Sequence, residues 1–138
     1  MTSYEFKYSE YPLIPIRLCS PARETPMIEA LLDSGGDFVV IPKPIADYLE
    51  LECTDAGCVD TAGGEAQMWS AKVRLVAVDE KQNEFLYDEL EIHVSGRDDI
   101  PVLLGRCPFF DDHEIVFQKK KNMLILKQLD EIEKEENI

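Results

Sequence analysis

Short apolar segments separated by turn residues dominate this chain, and several of them alternate apolar and polar residues. The pattern predicts strands over residues 13–18, 27–32, 38–41, 66–78, 85–94 and 101–104, and a terminal hairpin of residues 114–117 and 123–126 around a charged tip. Pro12 and Pro15 suggest that the first strand lies at a sheet edge, because proline cannot donate a ladder hydrogen bond. Many short strands with little helix indicate an all-β or barrel-like domain.

One helix interrupts this pattern. Residues 44–51 begin with Pro44, which suits a first helical turn, and Ile45, Tyr48 and Leu49 share one face. Residues 61–64 form a glycine turn before the longest predicted strand.

Length and charge narrow the function classes. The chain has 138 residues, with 14 Lys+Arg against 28 Asp+Glu and a formal net charge of −14. This length suits a single domain, here residues 1–127, followed by an acidic tail at 128–138 that we expect to be disordered. The acidity argues against nucleic acid or an anionic membrane as a partner. No secretory signal or spanning segment is recognisable, which predicts a cytoplasmic location.

The cysteines and histidines give little support for a metal centre. None of the four cysteines lies in a C-x-x-C pair, and Cys53, Cys58, His93 and His113 have poor zinc-ligand spacing. We therefore expect reduced thiols and no metal site. Nothing in the sequence implies an organic cofactor.

The segment with the clearest chemistry is Asp33-Ser34-Gly35-Gly36-Asp37, which follows an apolar strand. The glycines permit a sharp turn that would present the Asp33 carboxylate at the strand end. Two such carboxylates can share a proton, so that one activates water while the other polarises a carbonyl. The chain contains one Asp-Ser-Gly, so a two-carboxylate site requires two chains.

Asp33 to Pro42 resembles the active-site motif of retropepsin-like aspartic proteases, and Val102-Leu-Leu-Gly-Arg106 resembles the family's second motif. The matching segments occur in the family's order over roughly residues 13–126, and the C-terminal hairpin is similar to that of non-viral, microbial members. The resemblance implies a small closed β-barrel of the retropepsin type, with one or two short helices. It also implies an aspartic endopeptidase that works as a homodimer on peptide or protein substrates.

The resemblance also assigns roles to residues. Asp33 is implied to be the catalytic aspartate, one from each protomer. Ser34, Gly35, Asp37 and Arg106 are implied to support the active-site loop, with Asp37 and Arg106 as an ion pair. Residues Thr61, Ala62, Gly63 and Gly64 correspond to the flap that closes over a peptide.

Simpler interpretations exist for each feature. Asp33 suits an ordinary turn, Asp37 and Arg106 an exposed surface pair, and residues 63–64 a plain hairpin turn. Trp69 is more typical of a core, and residues 111–113 of a helix end. The alternative function is a catalytically silent dimer of the same fold that acts as a peptide-binding or interaction module. A phosphate-binding loop of the sugar-kinase or actin-like type is excluded, because that architecture needs two large domains.

Overall fold

The computed structural model describes residues 2–61 and 64–130, and strands account for most of them. The ten strands are β1 Ser3–Lys7, β2 Leu13–Cys19, β3 Ile28–Leu32, β4 Val40–Pro42, β5 Thr54–Thr61, β6 Gly64–Val78, β7 Glu84–Ser95, β8 Val102–Leu104, β9 His113–Gln118 and β10 Met123–Gln128. Helix α1 spans Lys43–Tyr48, and shorter helical turns cover Arg106–Phe110 and Lys119–Lys121. The predicted strands are all present, with ends shifted by one or two residues.

Six strands close into a small barrel. They neighbour one another in the order β2, β3, β8, β4, β7 and β6, and β6 pairs back to β2. Strand β5 pairs with β6 outside this ring, so β5 and the first part of β6 form a long hairpin. The predicted fold class, an all-β closed barrel with short helices, is confirmed.

Alternation along the barrel strands explains why the ring closes around a core. In β2, the side chains of Ile14, Ile16 and Leu18 are fully buried while the residues between them are partly exposed. In β6, Val73 and Leu75 point inward in the same way. Burying each of these side chains contributes about 1.5–3 kcal/mol, so the period-two pattern determines which face of each strand turns inward.

Strand β2 is not an edge strand, contrary to the prediction from its prolines. It pairs with β3 over Leu13–Ile16 and with β6 over Ile16–Cys19. Pro15 lies in the half that has β3 as its single neighbour, opposite Glu29. Proline is tolerated here because β2 pairs with β3 in its first half and with β6 in its second half, so Pro15 has a strand neighbour on one side only. A sequence pattern does not reveal this change of partner.

The two ends of the described chain meet in a separate three-stranded sheet of order β1, β10, β9. Tyr4 and Phe6 of β1 and Leu124 and Leu126 of β10 join the core. The predicted hairpin of β9 and β10 is confirmed, whereas β1 was not predicted. Gln128 belongs to β10, and residues 131–138 of the predicted tail lie outside the described residues.

Helix α1 is shorter than predicted. It ends at Tyr48, and Glu50 has a positive φ of 55° that stops the helical path. Leu49 is fully buried, but Tyr48 is 46% exposed, so the predicted apolar face is only partly used. Within the described residues, no helix has the length and apolar character needed to cross a membrane.

A partly buried hydrogen bond links the barrel to the segment that leads into the terminal sheet. The Tyr87 hydroxyl on β7 donates to Asp112 Oδ2 at 2.7 Å. Burial, reinforced by this bond to a carboxylate, raises the pKa of Tyr87 well above the ordinary value of 10.0. The phenol therefore stays protonated in the folded protein under conditions in which it ionises in the unfolded chain.

Tyr87→Phe is expected to lower the free energy of unfolding at neutral pH by about 1–2 kcal/mol, because the partly buried hydrogen bond to the Asp112 carboxylate is lost. Above about pH 10 the unfolded wild-type chain releases the Tyr87 proton while the folded chain retains it, so wild-type stability declines as pH rises. The variant should lose less stability over that range. Urea denaturation at neutral and alkaline pH measures both effects. Tyr11→Phe is the control, since Tyr11 is 63% exposed; an equal response of both variants would contradict the prediction.

Candidate active site

The Asp33 carboxylate lies where two neighbouring parallel strands end. Ala30 and Leu32 of β3 are buried, and Leu31 and Leu32 align with Leu103 and Leu104 of β8. The backbone N–H of Asp33 then donates to Leu104 O at 2.9 Å. Asp33 is thereby fixed at the first position beyond the paired region, half-buried.

The turn after β3 wraps around this carboxylate. Gly35 N donates to Asp33 Oδ1 at 3.1 Å, and Gly36 N donates to Asp33 O at 3.1 Å. A Cβ at position 36 would lie 3.1 Å from Asp33 Oδ2, closer than side chains normally approach. Glycine at position 36 therefore leaves space for the carboxylate, and the Gly35 N–H fixes the orientation of its Oδ1 atom.

The second motif braces the turn from the other side. Arg106 N donates to Gly36 O at 2.9 Å, and Cys107 N donates to Asp37 O at 2.9 Å. The Arg106 side chain donates to Gly36 O through Nε at 3.3 Å and forms an ion pair with Asp37. The structure thus brings together the two residues that the resemblance paired. Both side chains are more than half exposed, so the charge interaction itself contributes little to stability.

Gly105 sits in the tightest contact of the site. Its φ of −82° suits any residue, so backbone freedom does not require glycine here. A Cβ at this position would lie 2.3 Å from Phe38 O and 2.7 Å from Phe38 N. The absence of a side chain is what lets the two loops approach each other.

The outer surface of the turn is exposed. Ser34, Gly35 and Asp37 face solvent, and the Ser34 hydroxyl makes no hydrogen bond to any residue in the described ranges. The Phe38 side chain is 42% exposed and lies against the His93 ring, with centroids 4.7 Å apart. Sequence reasoning did not predict this contact of Phe38 with His93, because it joins residues 55 positions apart.

The predicted flap corresponds to the end of the hairpin formed by β5 and β6. Thr61 and Gly64 are its last paired residues, while Ala62 and Gly63 lie outside the described residues. The residues from Thr54 to Asp60 are exposed, so the hairpin projects from the barrel. Gly57, with a φ of 88°, permits a bulge in β5 beside Asp55.

The other residues considered for chemistry lie apart from Asp33. In the described part of the chain, no three His, Cys, Asp or Glu side chains form a group that could hold a metal ion. Trp69 packs partly against the core beneath Lys43. Asp111 ends the helical turn before β9, as predicted for that cluster, and the buried His113 ring contacts Phe109 O through Nδ1 at 2.9 Å.

Comparison with known proteins identifies the fold. No family model matches the chain, and no curated protein matches it by sequence. A retropepsin-like aspartic protease from Rickettsia conorii matches with a TM-score of 0.63 and 19% identity, over 91% of this chain and 99% of that one. EIAV protease complexed with the inhibitor HBY-793 matches with a TM-score of 0.53 and 17% identity, over 74% of this chain and 88% of that one. The retroviral protease-like domain of Ddi1 from Leishmania major matches with a TM-score of 0.52 and 13% identity, over 88% of this chain and 95% of that one.

The chain therefore has the retropepsin-like fold, and the resemblance to non-viral microbial members of this class is confirmed at the level of fold. At these identities the comparison establishes architecture, so the roles of individual residues rest on the geometry given above.

Gly105→Ala is expected to lower the free energy of unfolding by about 2–4 kcal/mol, because the added methyl group would overlap the Phe38 backbone. Urea denaturation followed by circular dichroism measures the loss. Gly35→Ala is the matched control in the facing loop, since its Cβ would meet nothing closer than Asp33 Oδ1 at 3.4 Å. Equal stability of the two variants would show that the loops do not depend on this contact.

Proposed function

We propose that the protein is an aspartic endopeptidase whose active site forms when two copies bring their Asp33 carboxylates together. The observation that carries this proposal is the position of Asp33. The half-buried Asp33 carboxylate stands at the end of β3 and accepts the Gly35 N–H. The turn that carries it also accepts backbone hydrogen bonds from Arg106 and Cys107. Asp33 occupies an exposed turn of a retropepsin-like fold.

A second copy is needed for the chemistry. One carboxylate cannot act as base and acid at once, whereas two that share a proton can divide these tasks. The sequence contains one Asp-Ser-Gly, so a homodimer supplies the second. The exposed Ser34 and the exposed Phe38 ring, both in the segment that follows Asp33, support this proposal, because a partner would cover them.

In the proposed reaction, the ionised Asp33 takes a proton from a water molecule that attacks the scissile carbonyl. The protonated Asp33 of the other copy donates its proton to the carbonyl oxygen. The resulting tetrahedral intermediate then collapses: the first Asp33 passes the proton it took from water to the nitrogen, and the C–N bond breaks. A hydroxyl group of the intermediate returns a proton to the second Asp33, so the products are a carboxylic acid and an amine and the shared proton is restored. The projecting hairpin of β5 and β6 would cover the extended peptide, and no metal or organic cofactor takes part.

We further propose that the enzyme works in the cytoplasm. Cys19, Cys53, Cys58 and Cys107 are all free thiols. Burial is the main cause that raises the pKa of Cys19, Cys53 and Cys107, so these three resist conversion to the reactive thiolate. Such a set of thiols is typical of a reducing compartment.

Asp33→Asn is expected to abolish cleavage of an unfolded protein substrate, because the amide can neither accept the proton of water nor share one with its partner. Mass spectrometry of the digest measures cleavage, and pepstatin should block it in the wild type. The activity should also decline toward alkaline pH, as the shared proton is lost. Circular dichroism and light scattering should show an unchanged fold and dimer mass in the variant.

Each failure has a distinct meaning. A wild-type dimer that cleaves nothing from acid to neutral pH would favour the catalytically silent peptide-binding dimer. An active monomer would contradict the shared site.

Ser34→Ala is expected to weaken dimerisation about tenfold while the fold remains stable, because we propose that this hydroxyl bonds to the opposed loop. Activity should therefore fall at low protein concentration and recover at high concentration. Sedimentation and activity measured over one dilution series test this, with Ser34→Thr as the control that retains the hydroxyl. A loss of activity that is independent of concentration would argue against a role at the interface.

A further inference from the structure

Strand β6 changes partners along one of its edges and leaves a gap there. The last residue of β6 that pairs with β5 is Ser70, opposite Thr54, and the first that pairs with β2 is Arg74, opposite Cys19. Within the described residues, Ala71–Val73 have no strand partner on this edge. Their other edge pairs without interruption to β7.

The backbone of Lys72 faces this gap. Gln67 O accepts a hydrogen bond from Gly96 N on the β7 side, and successive residues of a strand direct their polar groups to opposite edges. Ala71 therefore faces β7 and Lys72 faces the gap. On β2, the Leu18 N–H donates to Thr25 Oγ1, so the Leu18 backbone points away from β6. By the same alternation, the backbone of the next residue, Cys19, points toward β6. The Lys72 N–H and C=O are thus presented without a strand partner.

Two adjoining pockets of about 560 and 450 Å³ open at this gap and share Ser20, Pro21 and Lys72, so together they form one groove. Asp33 does not line this groove. Ser20 holds two of the walls together, because its hydroxyl donates to Leu49 O at 2.7 Å and accepts from Arg23 N at 3.1 Å. The groove is therefore formed in advance, which lowers the entropic cost of binding.

The charges that line the groove are mostly negative. The lining contains two cationic side chains, Lys72 and Arg74, and five acidic ones: Glu50, Glu52, Asp88, Glu89 and Glu91. Glu50 is paired with Arg23 at 3.6 Å and Asp88 with Arg74 at 3.4 Å. Glu52, Glu89 and Glu91 form no ion pair with any described residue. The groove is complementary to a ligand that carries positive charge and several hydrogen-bond donors.

We propose that this groove is a docking site for a basic peptide segment of a partner protein, with an arginine side chain inserted at the gap. A guanidinium group presents several donors in one plane, which suits the Lys72 carbonyl together with carboxylates such as Glu52 and Glu91. Because the groove does not contain Asp33, this docking goes beyond the proposed function and does not require catalysis.

The test uses a fluorescein-labelled peptide, Arg-Ser-Arg-Ser-Arg-Ser, and fluorescence anisotropy with the Asp33→Asn protein, so that cleavage cannot interfere. Binding should be weakened about tenfold by Glu52→Gln together with Glu91→Gln, which removes two exposed groove carboxylates. The control is Glu10→Gln together with Glu114→Gln, which changes the net charge equally at exposed positions outside the groove. This control should change affinity less than about twofold.

Amide NMR locates the peptide. The Lys72 amide resonance should shift on titration while that of Glu114 stays in place. Equal weakening in both double variants would overturn the proposal in favour of diffuse attraction to an acidic protein. An absence of binding, or equal binding of Glu-Ser-Glu-Ser-Glu-Ser, would also overturn it.

Discussion

The register between β3 and β8 is the constraint on which the candidate site depends. Leu32 lies beside Leu104, so the next residue of each strand, Asp33 and Gly105, enters the site together. A slip of one residue would turn Leu32 out of the core, which makes this register costly to change. The hydrogen bond from Asp33 N to Leu104 O, the contact of Gly105 with Phe38 and the bonds from Arg106 to Gly36 all follow from that alignment.

Much of the architecture could be predicted because local pattern and tertiary structure agree. The alternation in β2 and β6 marks the faces that are buried, and Pro44 marks the start of α1. Strand β5 could not be predicted, since residues 54–60 are exposed and their strand conformation depends on pairing with β6. Strand β1 carries a weak signal, because its alternation consists of only two apolar residues, Tyr4 and Phe6, between polar or charged neighbours.

The candidate site divides in the same way. Asp33, Asp37 and Arg106 were found from sequence because their motifs resemble those of a known family, and the structure places them together. The contacts of Gly105 with Phe38 and of Phe38 with His93 have no such signature. They join distant segments through backbone atoms or ring faces, and only the closed barrel defines which segments meet. The prolines of β2 suggested an edge strand for a similar reason, because the pairing of β2 with β6 forms only when the barrel closes.

The two pockets that form the groove on the surface of the single chain lie apart from the candidate active site. The preformed groove lies where β6 exchanges β5 for β2, near the base of the projecting hairpin, while Asp33 stands on an open turn. Under the proposed two-fold symmetry, every backbone bond that holds the Asp33 turn would enter the shared site twice. A small shift at Gly36 or Gly105 would then displace both carboxylates at once. The position of each Asp33 carboxylate therefore depends on backbone contacts around Gly36 and Gly105 rather than on the exposed ion pair of Asp37 with Arg106.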